Sequence, residues 1–385
     1  MITRLLRAPI LKQKKSILLL GPRQTGKSTL IRSLNPQLEI NLAHEPTFLE
    51  FARNPHELDA RLARDDFKTI FIDEVQRLPS LLNTIQSIVD QHNHIKFYLT
   101  GSSARKLKRG RANLLPGRLV SYQLGPLTSE ELNGDFDLDQ TLGEGLLPGV
   151  YTEAERSQRK KILSSYASTY LREEIQAEAL TRNIEGFARF LSVAAARSGH
   201  ILDLSKLASQ AQVPRQSALR YFEILEDTLI VRRLEPYSSN LFARNVRHPK
   251  FYFFDTGVLN GLLRNFQPSD DRKGILFEHF IAHELFHTSE NHELELKISY
   301  YRTEGGTEVD FIVERDNQIF AIECKASLNI GANDLRHLTA LISMLEKKSP
   351  RKKISAFVMY LGKVEKVIDK IAILPWSKVL KEIRT

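Results

Sequence analysis

Cysteine is nearly absent from this chain of 385 residues, since Cys324 is the single one. One cysteine excludes an internal disulfide framework of the kind that supports small secreted domains. Long apolar runs are also missing, and no stretch approaches the roughly 18 residues of a membrane-spanning helix. The N-terminal stretch lacks the apolar core of a signal peptide. These absences predict a cytoplasmic protein without a membrane partner.

The overall composition is that of a globular protein with a basic surface. Hydrophobic residues make up 42% and charged residues 26%, which is typical of folded rather than disordered chains. The net charge of +9 weakly favours a polyanionic partner such as nucleic acid, because basic charge spread over the surface is also compatible with it. The length allows two or three domains, each with its own core.

The stretch Ser16 to Leu30 combines a short apolar strand with the residues of a phosphate-binding loop. Gly21 to Ser28 fit the pattern G-x-x-x-x-G-K-[ST], in which the glycines let the loop turn its N–H groups inward. Lys27 is expected to reach the β- and γ-phosphates of ATP, and Ser28 to bind Mg²⁺. The predicted ATP-binding residues are Gly21, Pro22, Arg23, Gln24, Thr25, Gly26, Lys27, Ser28 and Thr29.

A second apolar strand ends in two adjacent carboxylates about 45 residues after the loop. Asp73 is expected to bind Mg²⁺, and Glu74 to accept a proton from the attacking water or to orient it. A third strand ends in small hydroxyl residues, where Ser102 is the first candidate for a sensor of the γ-phosphate. Thr100 and Ser103 are the alternatives.

Two further features of the N-terminal half give weaker predictions. The spacing from Glu50 to Leu62 predicts one helix, with Leu49, Leu58 and Leu62 in the core. A basic stretch then runs from residue 104 to Arg118, and it is either a solvated loop or a loop that faces DNA. Arg118 is a candidate arginine finger for the ATP of a neighbouring subunit, which would require self-association.

Residues 202–233 have the pattern of a winged helix-turn-helix. Two helical segments flank a Val-Pro turn, and a strand follows. Core-like spacing on the second helix is shown by Leu219, Phe222 and Leu225. Side chains expected to point outward are Arg215, Gln216 and Arg220. Contact with DNA and docking of a protein are both compatible with this pattern.

The last third of the chain places three charged residues on two alternating segments. Asp310 lies in EVDFIV, and Glu323 and Lys325 lie in FAIECK. Residues two apart on a strand face the same side, so Glu323 and Lys325 should project together. Two carboxylates can bind Mg²⁺ or Mn²⁺, and the lysine can orient water or stabilise phosphate charge. The alternative is a pair of amphipathic strands with ordinary surface charges.

These segments in this order resemble prokaryotic AAA-type ATPases that carry a large domain of unknown function behind the ATPase. The N-terminal resemblance lies in GPRQTGKST, IFIDEVQRLP, YLTGSS and LGPLTSEEL, and the C-terminal one in YLREEI, PYSSNLFARNVRHPKFYFFDTG and FEHFIAHEL. It implies ATP binding at Gly21 to Thr29, Mg²⁺ and catalytic roles for Asp73 and Glu74, and a sensor near Ser102. No second arginine sensor is found, which leaves ring assembly open.

The end of the chain resembles the restriction-endonuclease-like nucleases, whose pattern is Asp, a gap and then Glu-x-Lys. Asp310, Glu323 and Lys325 match this pattern, and Glu278 matches the acidic residue on the first helix of that fold. Val309 stands where a proline is usual. The resemblance implies a metal site formed by Asp310, Glu323 and Glu278, with Lys325 as a catalytic residue.

The predicted fold class is α/β. A parallel P-loop NTPase sheet with helices on both faces is followed by a winged-helix module and a restriction-endonuclease-like α/β domain. The predicted divisions are an AAA-type ATPase domain at 1–133, a helical connection at 134–180, a winged-helix domain at 181–265 and a nuclease-like domain at 266–385.

The predicted function is ATP hydrolysis with ATP and Mg²⁺, coupled to a nuclease-like domain that acts on DNA. The alternative is an ATP-driven switch or scaffold whose nuclease-like domain is inactive and only binds a protein or nucleic-acid partner.

Overall fold

The computed structural model describes residues 2–92, 94–102, 117–170, 183–237 and 248–385. Ser103 and most of the basic stretch before Arg118 lie outside these ranges. The chain divides into two compact units. The first comprises Met1–Gly134, Leu147–Gly149 and Glu223–Ile230, and the second comprises Asp135–Leu146, Val150–Phe222 and Val231–Thr385. Among the described helices, none has the length and apolar character needed to cross a bilayer.

The first unit alternates strands and helices. Its elements are α1 (Arg7–Lys12), β1 (Ser16–Leu20), α2 (Lys27–Arg32), β2 (Leu38–Asn41), α3 (Glu45–Arg53), α4 (Glu57–Leu62), β3 (Thr69–Asp73), a 3₁₀ turn (Val75–Arg77), α5 (Leu81–Gln91), β4 (Lys96–Gly101) and β5 (Leu119–Gln123). The strands form one sheet in the order β2-β3-β4-β1-β5, and all neighbouring pairs are parallel. A parallel sheet needs cover on both faces, which explains why its central strands are apolar on both sides.

The central strand β1 shows how this cover is achieved. Leu18 and Leu20 pack in a core with residues of α3, α4 and α5. Ile17 and Leu19 pack in a second core with residues of α1 and α2. Because successive side chains point to opposite faces, one run of apolar residues serves both cores. The carboxyl ends of β1, β3 and β4 carry the residues of the predicted ATP site.

The prediction of one helix from Glu50 to Leu62 was wrong. The segment forms two helices, α3 and α4, separated at Asn54-Pro55, because a proline lacks the amide donor and restricts the residue before it. Leu49 is 39% exposed and is not a core residue, whereas Leu58 is fully buried. Leu62 packs at the edge of the core.

The second unit contains most of the remaining elements. They are α6 (Leu138–Glu144), α7 (Pro148–Tyr151), α8 (Arg156–Ser165), a π-helical turn (Tyr166–Tyr170), α9 (Ile184–Ala196), α10 (Leu204–Gln210), α11 (Arg215–Asp227), β6 (Val231–Pro236), β7 (Lys250–Phe253), α12 (Thr256–Leu263), α13 (Asp270–Asn291), β8 (Lys297–Arg302), β9 (Glu308–Arg315), β10 (Gln318–Lys325), a 3₁₀ turn (Ala332–Leu335), α14 (Arg336–Lys348), β11 (Lys353–Tyr360), β12 (Lys366–Ile368), β13 (Ile371–Pro375) and α15 (Trp376–Arg384). Helices α7 and α11 each contribute residues to both units.

The strands of this unit form a mixed sheet in the order β12-β13-β11-β10-β9-β8-β6-β7. Strands β8, β9 and β10 are antiparallel neighbours, and β10 pairs with β11 in parallel after the crossover through α14. Helix α14 packs on one face through a core that includes Leu338 and Leu341. Helix α13 also packs against β10. Helix α13 thereby lies against the strand that carries Glu323 and Lys325.

The segment predicted as a winged helix-turn-helix forms α10, α11 and the antiparallel pair β6–β7. Asp203 accepts a hydrogen bond from the amide of Lys206 and so caps α10. On α11, Phe222 and Leu225 are buried, but Leu219 is 38% exposed and was wrongly assigned to the core. The positions of Leu219, Phe222 and Leu225 span a wider part of the α11 surface than the surrounding structure buries.

Candidate functional site

The loop between β1 and α2 has the backbone geometry of a phosphate cradle. A Cβ on Gly21 would lie 2.1 Å from the carbonyl oxygen of Leu124, so only glycine fits there. Gly26 has φ of 89°, a left-handed conformation that other residues rarely adopt. Lys27 Nζ donates to the carbonyl oxygens of Gly21 and Pro22, both at 2.8 Å. The lysine head thus lies against the loop, where phosphate oxygens would be its alternative acceptors.

The two nucleotide motifs meet through side chains that are 45 residues apart in the chain. Ser28 Oγ donates to Asp73 Oδ1 at 2.9 Å. Thr100 Oγ1 also donates to that oxygen, and it accepts the amide of Glu74 at 3.2 Å. Ser28 and Asp73 therefore offer two adjacent oxygen ligands for Mg²⁺, which suits the preference of that ion for carboxylate and hydroxyl oxygen.

Glu74 sits in an unusual backbone conformation, with φ of 58°. A non-glycine residue in this region is uncommon and persists where its surroundings hold it. Its carboxylate accepts a hydrogen bond from Gln76 Nε2. The same amide nitrogen donates to Ser102 Oγ at 3.0 Å. Gln76 is 4% exposed and joins the predicted base to the predicted sensor.

Gln76 was not predicted, because a glutamine two residues after a pair of carboxylates has no periodic or motif signal of its own. Nor was Arg4, which is 8% exposed. Arg4 donates to the loop carbonyl of Thr25 at 2.6 Å and to Gly125 O at 2.9 Å, and it pairs with Glu131 at 2.9 Å. This ion pair connects the N-terminal segment, the phosphate loop and the stretch after β5.

Arg118 lies just before β5 and is partly exposed. Its guanidinium pairs with Asp90 at the end of α5. That pair holds the side chain at the surface of its own domain, and a role toward the nucleotide of a neighbouring subunit stays a prediction.

In the second unit, the strand register brings Asp310 and Glu323 to one face. Phe311 pairs with Ile322, so Asp310 and Glu323 are the next positions along the two antiparallel strands. Opposite residues of such a pair project from the same face, with Cβ atoms about 5 Å apart. Asp310 Oδ2 also accepts the amide of Cys324 at 2.8 Å. Glu323 Oε1 accepts Lys325 Nζ at 2.8 Å, as expected for residues two apart.

Burial makes both of these carboxyl groups weaker acids than usual. Burial and the nearby Glu278 carboxylate raise the pKa of Asp310 to about 7, against the attraction of Lys250. Burial and the nearby Asp310 raise the pKa of Glu323 to about 8. Glu323 Oε2 is buried without a hydrogen-bond partner. An uncompensated carboxylate oxygen of this kind fits a divalent cation, which would neutralise both groups.

Glu278 has different partners from those expected. Its Oε1 accepts hydrogen bonds from Lys250 Nζ at 3.1 Å and from the Tyr252 hydroxyl at 2.5 Å. Lys250 also pairs with Glu308 at 2.8 Å. Burial by itself would lower the pKa of Lys250. The surrounding carboxylates have the larger effect, and the pKa of Lys250 is raised. A buried lysine thus supplies an internal positive charge beside Asp310.

Lys250 was not predicted, because it lies on β7, well ahead in the chain of the segments that carry the carboxylates. Within the ranges that the structure describes, no three His, Cys, Asp or Glu side chains are arranged to hold a metal ion together. Asp310 and Glu323 are therefore the better candidates for ligands, and Glu278 is held by Lys250 and Tyr252.

Family comparisons divide the chain into three matched segments. Residues 13–133 match the model described as an AAA domain. Residues 135–269 and 273–379 match two models described as domains of unknown function, DUF8612 and DUF4143. The N-terminal segment is thus an AAA-type P-loop domain, in agreement with its parallel sheet, and this assignment supports nucleotide binding.

Two relatives from mycobacteria are similar to most of this chain. Uncharacterized proteins of Mycobacterium tuberculosis and Mycobacterium bovis are each 29% identical over 331 residues, which cover 83% of this chain and 70% of theirs.

Two solved structures show distant similarity to this chain. A replication initiator DnaA bound to AMPPCP and single-stranded DNA is 10% identical, with coverage of 57% of this chain and 85% of that one and a TM-score of 0.27. A type III CRISPR defence DNA nuclease is 10% identical, with coverage of 96% and 51% and a TM-score of 0.23. At these TM-scores the similarities carry no argument about fold or function.

Proposed function

We propose that this chain binds and hydrolyses ATP with Mg²⁺ in its AAA domain and acts on DNA through a metal-dependent nuclease centre in its second unit. The observation that carries the ATP part is the Ser28–Asp73 hydrogen bond of 2.9 Å, which joins the two nucleotide motifs. Bound Mg²⁺ would supply charge neutralisation for the phosphates. Lys27 would exchange its loop carbonyls for phosphate oxygens.

Glu74 is the proposed base for the attacking water. Gln76 holds its carboxylate and also contacts Ser102, so movement at the γ-phosphate sensor would be transmitted to the base. Replacement of Glu74 by glutamine should preserve ATP binding and slow hydrolysis by about 100-fold or more, because an amide cannot accept the proton. Calorimetry for binding and phosphate release for turnover separate the two effects. Unchanged hydrolysis would remove Glu74 from the mechanism.

The nuclease part is supported by the shared face of Asp310 and Glu323, the partnerless Glu323 Oε2 and the adjacent Lys325. Asp310 and Glu323 would bind the ion, and Lys325 would contact the scissile phosphate or its water. The order β8-β9-β10-α14-β11 after α13 is also that expected for a restriction-endonuclease-like core. The pair β6–β7 after α10 and α11 supports a winged helix.

The direct assay uses purified protein with supercoiled and linear DNA, Mg²⁺ or Mn²⁺, with and without ATP. Asp310→Ala and Lys325→Ala should abolish cleavage and leave ATP hydrolysis nearly intact. Lys353→Ala is the matched control, because Lys353 is an exposed lysine at the opposite end of the paired strands β10 and β11. Cleavage that survives in Asp310→Ala would refute the nuclease centre.

A second function, an ATP-driven switch or scaffold with an inactive nuclease-like domain, is favoured by one specific observation. Lys250 already neutralises Glu278 and Glu308, so part of the carboxylate cluster has an internal cation. Under this hypothesis wild-type protein binds DNA or a protein partner and cleaves nothing with either metal.

A further inference from the structure

A cavity of about 520 Å³ lies within the second unit, beside the buried Lys250–Glu278 pair. Its walls come from the end of α9, from α10, β7 and α13, and from β8 and β9. The charged lining residues are Arg197, Asp203, Lys206, Lys250, Glu278, Arg302 and Glu308. This volume is within the range of ordinary small-ligand sites, and it suits a single nucleotide but not a duplex.

The acidic residues of the cavity already have partners. Asp203 accepts the amide of Lys206 at 3.0 Å and caps α10. Glu278 pairs with Lys250 at 3.1 Å. Glu308 pairs with Lys250 at 2.8 Å and with Arg302 at 3.0 Å. Glu278 and Glu308 are therefore ion-paired with Lys250 and Arg302, and the Asp203 carboxylate is engaged as the cap of α10.

Arg197 and Lys206 differ from these cations. Neither side chain pairs with a carboxylate in the part of the chain that the structure describes. Arg197 directly follows α9 and is half-buried, and Lys206 is exposed on α10. Two uncompensated cations at the mouth of a nucleotide-sized cavity favour a phosphate group, since phosphate oxygens accept several charge-assisted hydrogen bonds.

The cavity is connected to the candidate nuclease centre through β9. Glu308 lines the cavity, and Asp310 lies two residues further along the same strand. Lys250 and Glu278 also line the cavity, and both interact electrostatically with Asp310, so the cavity lies next to the Asp310 side chain. A chain of nucleotides bound in the cavity would continue toward Asp310, Glu323 and Lys325.

We propose that this cavity holds one nucleotide of a single DNA strand, with Arg197 and Lys206 on its phosphate, and that it directs the strand to the Asp310–Glu323 centre. The inference rests on the proposed function, because it takes DNA as the ligand. A free nucleotide carries the same phosphate chemistry, so the test must distinguish the two sources.

The test measures binding of a labelled 20-nucleotide single strand by fluorescence anisotropy, with EDTA present and NaCl varied from 50 to 300 mM. Arg197→Gln/Lys206→Gln is compared with Arg351→Gln/Lys353→Gln, which removes the same two charge types at the far end of β11. Lys353 pairs with Gln318 on β10. Gln318 precedes Lys325 by seven residues, so the control site lies about 23 Å along the strand from Lys325.

Each lost phosphate contact on a single strand lowers the salt slope by about 0.7, so the first variant should lose about 1.4 in slope and bind about 25-fold more weakly at 0.1 M salt. The control variant should change the slope much less. Equal binding by the two variants, with strong binding by the wild type, would overturn the cavity inference and leave the proposed function intact.

Two other results separate the remaining possibilities. A wild-type protein that binds no DNA at any salt concentration would overturn both the inference and the DNA part of the proposed function. If Arg197→Gln/Lys206→Gln lost affinity for dTMP but kept its affinity for the strand, the cavity would be a nucleotide site and the inference would be wrong. An unchanged urea-unfolding midpoint in both double variants, followed by the fluorescence of Trp376 beside Phe280, checks that the second unit still folds.

Discussion

Glu323 offers the sharpest quantitative test of the candidate metal centre. The residue is 7% exposed, one carboxylate oxygen pairs with Lys325 at 2.8 Å, and the other has no hydrogen-bond partner. Burial and the nearby Asp310 raise its pKa to about 8. We predict that Glu323→Gln, which keeps the shape and removes the titration, stabilises the metal-free second unit at alkaline pH.

The sign follows from proton linkage. A carboxyl group whose pKa is raised on folding holds its proton more tightly in the folded state. Its contribution to stability is therefore complete below the unfolded pKa of about 4.3 and is lost as pH rises toward 8. A pKa difference of about 3.7 between the folded and unfolded states corresponds to about 5 kcal/mol of stability. Because Asp310 and Lys325 share this electrostatic energy, we expect the variant to gain about 2–4 kcal/mol over the wild type between pH 5 and pH 9.

The assay is urea unfolding followed by the fluorescence of Trp376, the single tryptophan of the chain. Its ring lies 5.0 Å from that of Phe280, so it reports on the second unit. Glu382→Gln on α15 is the control, because Glu382 is exposed. At pH 9, Mn²⁺ should restore stability to the wild type but not to Glu323→Gln. A stability difference between wild type and Glu323→Gln that stays constant from pH 5 to pH 9 would refute the reasoning.

Three other perturbations test the rest of the molecule. Lys27→Ala should weaken ATP binding at least 100-fold by calorimetry, because it removes the cation for the β- and γ-phosphates, and wild-type affinity would contradict the assignment. Arg4→Met leaves the buried Glu131 carboxylate without its cation and should cost about 3–5 kcal/mol, measured by hydrogen exchange of the first unit; no loss of stability would show that the ion pair is dispensable. Lys250→Met removes the internal cation next to Glu278 and should tighten Mn²⁺ binding by calorimetry, whereas weaker Mn²⁺ binding would show that Lys250 organises the ligands instead.

Short sequence patterns predicted much of the secondary structure of the first unit. The apolar strands before Gly21, Asp73 and Ser102 were expected from the sequence, and they lie side by side in a parallel sheet. These features are local, because a buried strand, a glycine turn and a carboxylate pair each occupy a few consecutive residues. The AAA domain match over residues 13–133 agrees with them. Local pattern was wrong at Leu49 and Leu219, since periodicity identifies a helix face but not what covers it.

The second unit was predicted in part for the same reason. Alternation placed Glu323 and Lys325 on one face, and their contact at 2.8 Å follows from strand geometry alone. The roles assigned to Asp310, Glu323 and Lys325 stay predictions, as do the domain divisions. Nothing local in the sequence indicated that Glu278 pairs with a buried lysine.

Only the tertiary structure determined the partners of Arg4, Gln76 and Lys250. Arg4 and Glu131 are 127 residues apart, Gln76 and Ser102 are 26 apart, and Lys250 and Glu278 are 28 apart. The sequence determines which side chains can donate, accept or carry charge. Which of them meet depends on strand order and register, and burial then decides how strongly they interact, because charges and hydrogen bonds removed from water must find partners inside the protein.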